Sequence, residues 1–214
     1  STVVLQLIFR AINEIEQNKR NKEIHVLSND TLVENPIISD YLNEQLDKIN
    51  EFGKNHIYNH DSSLFSVAKV TPKIEDSFWL NLIGKGYPSP NRWFRWCTER
   101  LKIKPTNDYI RETVDKFGKT IIVLGTRKSE SSNRQRSMEN YEIKDIKLRK
   151  HQLPNAYVFA PIAELTDSDV WEYLRDNDNP WGIKNTQLIE LYNNASVVFE
   201  HDDEKEEYQS TFGV

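Results

Sequence analysis

The stretch Leu124 to Arg136, LGTRKSESSNRQR, interleaves Arg127, Lys128, Arg134 and Arg136 with Ser129, Glu130, Ser131 and Ser132. An arginine grips two phosphate oxygens at once and hydroxyls add further donors. Such a run suits a triphosphate or a nucleic-acid phosphate, and it can offset charge that builds at a reacting phosphorus. The alternative is an ordinary solvated polar loop. The run follows TIIVLG, Thr120 to Gly125, which reads as the clearest buried strand of the chain. Loops leaving the carboxyl end of a parallel strand are where open α/β sheets bind ligands, which favours the site reading.

The second stretch is NRWFRWCTERLKIKP, Asn91 to Pro105. It holds the single cysteine, Cys97, among Arg92, Arg95, Arg100, Lys102 and Lys104. Nearby cations favour a thiolate, and a thiolate can attack, accept sulfur or bind a metal. Trp93, Phe94 and Trp96 can stack on bases or cover a cluster. The competing reading is a small inert core residue flanked by core aromatics. The spacing leaves both open.

These stretches must be held by an alternation of helices and strands. Val4, Ile8, Ala11 and Ile15, with Leu5 and Ile12 alongside, predict a helix that starts at Ser1 or Thr2 with a hydroxyl cap. EIHVLSND predicts a strand over Ile24 to Leu27, followed by a loop from Ser28 to Thr31. A helix that opens the chain and leads into a strand implies a further strand and turn ahead of Ser1, to complete a βαβ unit. That turn would sit at a helix N-terminus, where phosphates bind. Downstream, the pattern predicts a helix from Asn35 to Phe52 stopped by Gly53 and a strand in Leu64 to Pro72. It then predicts a short helix from Glu75 to Ile83, a loop over GKGYPSPNR, and a helix after Pro105 stopped by Gly118. A short strand over Tyr157 to Phe159 precedes a helix capped by Thr166 and Asp169, with Val170, Trp171 and Leu174 on its apolar face. Asn185 to Asn193 reads as a last short helix. The fold class is α/β, a Rossmann-like parallel sheet with helices on both faces. The main domain is 1–194, and 195–214 is an acidic segment.

With 214 residues, 37% hydrophobic and 29% charged, the chain has enough material for one α/β core. No apolar run is long enough to span a membrane, and one cysteine precludes an internal disulfide, so a cytoplasmic location is expected. The net charge of −5 conceals an asymmetry. Arg92 to Arg136 carries twelve Lys and Arg against five Asp and Glu, whereas Ala160 to Val214 carries three against thirteen. The middle of an acidic protein can therefore meet a polyanion.

STVVLQLIF resembles the end of the PP-loop of the ATP pyrophosphatases. RWCTERLKIKPTNDYI, VLGTRKSESSNRQ and PIAELTDSDVWEYLRDNDNPW are similar to segments of the PAPS reductase-like superfamily. Taken with GYPSPNRWFRW, LPNAYVFAPI and NPWG, the collinear blocks most resemble the DndC-type sulfurtransferases of DNA phosphorothioation. The resemblance runs from Ser1 to about Asn194. It implies an adenine nucleotide alpha hydrolase-like fold, whose first strand and the glycines of the PP-loop would precede Ser1. It implies ATP and Mg2+ as ligands, Ser1 and Thr2 at the pyrophosphate, and Ser28, Asp30 and Thr31 near the adenosine. Gly125, Arg127, Ser129 and Arg134 would face the phosphates. Cys97 matches a cysteine that the family uses with three later ones to hold a 4Fe-4S cluster; those three are absent from this sequence. The implied activity is an ATP pyrophosphatase and sulfurtransferase that adenylates a DNA backbone phosphate, with Arg127, Arg134 and Cys97 as catalytic residues. DNA, a cysteine desulfurase and other phosphorothioation proteins are the implied partners. The alternatives are a sulfonucleotide (PAPS or APS) reductase, and a non-catalytic nucleotide- or DNA-binding module of a modification complex.

Overall fold

The computed structural model describes residues 2–91, 93–143 and 146–199, with side chains described up to residue 193. Ser1, Arg92 and the acidic segment beyond residue 199 lie outside the described residues.

The first helix, α1 (Thr2–Asn13), buries Val3, Val4, Gln6 and Phe9. Of the apolar face expected along Val4, Ile8, Ala11 and Ile15, with Leu5 and Ile12 alongside, Val4 is buried and Leu5, Ile8 and Ile12 pack against the core, whereas Ala11 and Ile15 are exposed and Val3 and Phe9 are buried in addition. The reason is that α1 serves two cores at once. Val3 and Val4 join Tyr41, Ile162, Leu174 and Leu188, with Leu7, Ile8 and Val123 packed against them. Phe9 joins Ile49, Ile57, Tyr58, Phe65 and Trp181, with Leu5 and Ile12 packed against them. A helix sandwiched between two clusters has no single stripe for a period of 3.6 to reveal.

Strand β1 (Ile24–Asn29) pairs in parallel with β2 (Phe65–Val70). β1 therefore runs two residues past the expected Leu27 and includes Ser28. Between these strands lies α2 (Pro36–Phe52), capped by the Asn35 side chain, which accepts from the Ile37 N–H. Gly53 does not end this helix in a left-handed turn. It keeps helical backbone (φ −59°, ψ −44°), and the chain continues as a π turn over Gly53–Ile57. Glycine is required there by space. A Cβ on Gly53 would lie 2.2 Å from a ring carbon of Phe65. Phe65 is 1% exposed and wedged against Phe9 at 5.8 Å between ring centroids, so it cannot swing away. Gly53→Ala is expected to lower stability by about 1–3 kcal/mol despite alanine's better helix propensity. Denaturant titration checks this; an unchanged or raised midpoint would show that the ring can give way.

Glu75 to Ile83 is not one helix. It divides into a 3-10 turn at Ile74–Asp76 and a π turn at Leu80–Gly84. After the GKGYPSPNR loop comes a helical run in three parts: α3 (Trp96–Thr98), a π turn at Glu99–Ile103, and α4 (Lys104–Phe117). Gly118, at φ +80°, closes α4 as its composition indicated.

The remaining strands form a second hydrogen-bonded sheet. β3 (Thr120–Val123) and β5 (Ala156–Phe159) pair in parallel, and β4 (Arg149–Lys150), not foreseen from the pattern, adds antiparallel to β5. β3 is less buried than its composition suggests, with Ile121 56% exposed, because among the described residues it pairs on one edge only. The polar run after β3 is also not all loop: α5 (Ser132–Asn140) begins inside it, with Ser131 as cap. α6 (Asp167–Asp176) carries the expected reciprocal capping box of Thr166 and Asp169. α7 (Thr186–Phe199) extends past the expected end at Asn193. The architecture is α/β, with parallel strand pairs flanked by helices.

The segment DNDNPW works as a structural tie. Asn179 is 4% exposed; its Oδ1 accepts from Gln6 Nε2 at 2.6 Å, and its Nδ2 donates to Ile183 O and Asn185 Oδ1. Trp181 donates its indole N–H to Gln45 Oε1 at 2.7 Å. These bonds join α1, α2 and the end of α6 across the core.

Candidate nucleotide site

Two groups of side chains gather at the carboxyl ends of the strands. At the end of β1, Asp30 bonds Lys69 of β2 at 2.9 Å and accepts from the Leu32 N–H. The Lys69 ammonium and the Leu32 N–H hold its carboxyl below the usual range against the opposing effect of burial. Thr31, 4% exposed, donates to Glu34 at 2.8 Å. Leu32 sits at φ +62°, a conformation that costs a non-glycine residue of order 1 kcal/mol. Thr106, at the start of α4, donates to Asn29 Oδ1 at 2.8 Å and so fixes α4 to this edge. Lys69 and Thr106 were not singled out from the sequence; no local pattern ties either to the Ser28–Thr31 turn.

The second group follows β3. Gly125 leads to Arg127, whose guanidinium lies between Asp167 and Glu130, the latter at 3.4 Å. Glu130 also pairs with Arg134, and Lys128 pairs with Glu164. The glutamate outweighs the cost of burial and holds the Lys128 amine above its usual value. Ser129 donates to the Leu165 carbonyl at 3.1 Å, and the Lys128 N–H to the Ala163 carbonyl at 2.8 Å. Arg134 lies on α5 rather than in a loop. The cations of this run are thus matched by acids, Arg127, Lys128 and Arg134 by Glu130, already visible within the run, and by Glu164 and Asp167 from outside it. Burial raises the Tyr192 phenol, and the positive charge of Arg127 works against that shift, so the guanidinium also lies within electrostatic reach of α7.

The acids differ in kind. Side-chain exposure is 73% for Asp167 and 74% for Glu164, but 22% for Glu130. An exposed ion pair is worth roughly 0–1 kcal/mol, so a phosphate can displace Asp167 or Glu164 at little cost. Glu130 instead holds Arg127 and Arg134 together. The i, i+4 spacing of Glu130 and Arg134 was a readable signal. The Asp167 partnership spans 40 residues and was not.

Thr2 opens α1, and its neighbours Val3 and Val4 share a cluster with Val123, the last residue of β3, and with Ile162 and Leu165, which back the Arg127 segment. Cys97 belongs to neither group. It is a free, half-buried thiol in α3. No hydrogen bond or ion pair among the described residues ties it to the Arg127 segment. Among the described residues no group of three or more His, Cys, Asp or Glu side chains is placed to hold a metal ion. One cysteine does not fit a four-thiolate cluster.

Residues 1–183 match the family model of the phosphoadenosine phosphosulfate reductase domain. The chain belongs to that family. No curated protein matches it. Membership makes this a nucleotide-binding domain of the sulfonucleotide and adenine nucleotide hydrolase type, a generally enzymatic family. No helix among the described residues is long and apolar enough to cross a membrane.

In this family member a cleft of about 410 Å³ lies at the carboxyl end of β2, between Thr71, Asp76 and α4. Several of its charges pair with one another. Asp76, 2% exposed, accepts from Arg100 at 2.6 Å and pairs with Lys104, while Asp108 holds Lys73 and Arg111. Burial alone would raise the Asp76 carboxyl; the bonds from Lys104 and Arg100 prevail and hold it below the usual carboxylate range. With the folded value depressed, the stabilisation is full above the unfolded value near about 3.9 and fades as pH falls through the lower folded value. Asp76→Asn is expected to cost roughly 2–3 kcal/mol at neutral pH, less than a fully buried pair because Arg100 and Lys104 reach water. Its thermal midpoint should also fall less steeply below pH of about 4 than that of the unaltered protein. Parallel acid profiles would contradict this.

Proposed function

We propose that the protein binds Mg·ATP along the carboxyl edge of its strands and uses it to adenylate a phosphate oxygen of DNA, so that sulfur can replace that oxygen. In this reading the adenosine lies by Ser28, Asp30 and Thr31. The phosphates lie by Thr2, Gly125, Ser129 and the pair Arg127 and Arg134. The observation that carries the reading is the cluster shared by the first turn of α1, Val123, Ile162 and Leu165, which ties a helix N-terminus to the arginine segment.

A non-bridging oxygen of the DNA phosphodiester attacks the α-phosphorus of ATP. The bond from that phosphorus to the α–β bridging oxygen breaks, and pyrophosphate leaves. Sulfur at the hydrosulfide level, supplied by a donor such as a cysteine desulfurase with its reductant, then bonds to the DNA phosphorus. The bond to the adenylated oxygen breaks, and AMP leaves with that oxygen. The chain's own task is positioning and charge. Arg127 releases Asp167 to water and takes a phosphate oxygen in its place, while Arg134 adds its charge beside it, with Glu130 paired to both. The single thiol, Cys97, shares the helical run with Thr106, and its assignment to the sulfur-receiving side rests on the family resemblance.

The protein, given Mg·ATP, an oligonucleotide and a sulfide donor, should release pyrophosphate and yield nuclease-resistant linkages. ATP cleavage without sulfur in the DNA would leave nucleotide chemistry and remove the DNA reading. The family match also favours a sulfonucleotide reductase, for which sulfite release from PAPS or APS is the distinguishing product.

A further inference from the structure

A ladder of aromatic rings runs across the surface formed by residues 78–96. Trp79 meets Phe78 edge-on at 5.1 Å, and Phe78 stacks on Trp96 at 5.5 Å and 23°. Trp96 meets Tyr87 at 5.5 Å, and Tyr87 meets Phe94 at 6.4 Å. Trp96, at the centre, is 6% exposed and anchored by its indole N–H to Pro88 O at 2.9 Å. Arg100 lies over the Tyr87 ring and bonds its hydroxyl at 2.8 Å. The ends of the ladder face water: Trp79 is 58% exposed, Phe94 43%, and the adjoining Trp93 90%. Trp93 and Phe94 are held by Asn91, whose Oδ1 accepts from both of their backbone N–H groups. Large flat rings are presented to solvent on a fixed base.

The surrounding charge is one-sided. From Trp79 to Lys104 the sequence carries six Lys and Arg and a single acid, Glu99. Arg100 and Lys104 are engaged by Asp76, but neither Arg95 nor Lys102 makes an ion pair among the described residues. Flat rings alternating with cations fit a chain that alternates flat bases with phosphates. Duplex bases are stacked inside the helix and cannot lie on such rings; unpaired bases can. An apolar protein partner would leave the cations without counter-charges.

We propose that this face binds a single-stranded nucleic acid, stacking unpaired bases on Trp93, Phe94 and Trp79 while Arg95 and Lys102 follow its backbone. The helical run from Trp96 through α4 leads from the ladder to Thr106 and its bond with Asn29, so the strand lies on the element that abuts the nucleotide edge. The inference deepens the DNA reading above and rests on it for the identity of the polymer, though binding itself needs no ATP chemistry.

The test is fluorescence anisotropy with a labelled oligothymidylate and with a duplex of equal length, without ATP, across a salt series. The single strand should bind at least about ten-fold more tightly than the duplex, and Trp93→Ala should weaken it about ten-fold. Trp93→Tyr, which keeps a ring, should restore most of the affinity. Arg95→Ala should make the salt slope shallower by about 0.7. Equal affinity for duplex and single strand, no effect of Trp93→Ala, or no rescue by Trp93→Tyr would each overturn the proposal. Single-strand binding that survives in a protein without ATP turnover would refute the proposed reaction and leave this surface standing.

Discussion

Replacing Arg127 by alanine is expected to lower pyrophosphate release about 10²–10³-fold, the loss typical when a preorganised donor to a developing oxyanion is removed. The side chain is 12% exposed and clamped between Glu130 and Asp167, so its fork is aimed before any ligand arrives. A preset donor spends little reorganisation at the moment of reaction, and its removal falls on the transition state more than on ATP affinity. kcat should therefore drop much more than KM rises. Arg127→Lys should recover little, because an ammonium cannot span Glu130 and a phosphate oxygen together. Steady-state pyrophosphate release checks this; a full-rate Arg127→Ala protein would remove the residue from the chemistry.

The second large effect is on stability. Trp181→Ala should destabilise the protein by about 3–5 kcal/mol, read as a shift of the denaturant midpoint. Trp181 is 5% exposed, and its ring meets Phe9 edge-on at 5.9 Å inside the cluster of Ile49, Ile57, Tyr58 and Phe65. Deleting it opens a cavity in that cluster. It also strips the one hydrogen bond that the Gln45 side chain makes among the described residues, where its Nε2 is already buried without a partner. For a domain held by roughly 5–15 kcal/mol, that is a large share of the total. Trp181→Phe keeps much of the packing and loses the hydrogen bond, so it should cost about 1–3 kcal/mol. If the two substitutions prove equally mild, the tie between α1, α2 and the Asn179–Trp181 segment is not what holds this side of the molecule.

Trp181 also shows what a motif can and cannot tell. NPWG belongs to the blocks through which the sequence resembles its superfamily, yet the structure uses its asparagine and tryptophan to fasten helices. Local signals were the legible ones. Thr166 and Asp169 cap α6, and Gly118 ends α4 at positive φ, because these depend on a few neighbouring residues. Gly53 follows the last α-helical residue, Phe52, as expected, but the reason a glycine stands there is a ring twelve positions away rather than its own backbone. On α1 the packing of Val4, Leu5, Ile8 and Ile12 was legible, but not that two cores share the helix. At the site, the residue types around Arg127 were readable. Their neutralisation by Asp167 and Glu164 was not, since that depends on how the start of α6 folds back on the end of β3.

The most direct measurement is the identity of the nucleotide products. With ATP labelled on its α-phosphate, in the presence of DNA and a sulfide donor, the protein should yield labelled AMP and an equal amount of pyrophosphate. Labelled ADP with orthophosphate, or intact ATP after prolonged incubation, would contradict attack at the α-phosphorus.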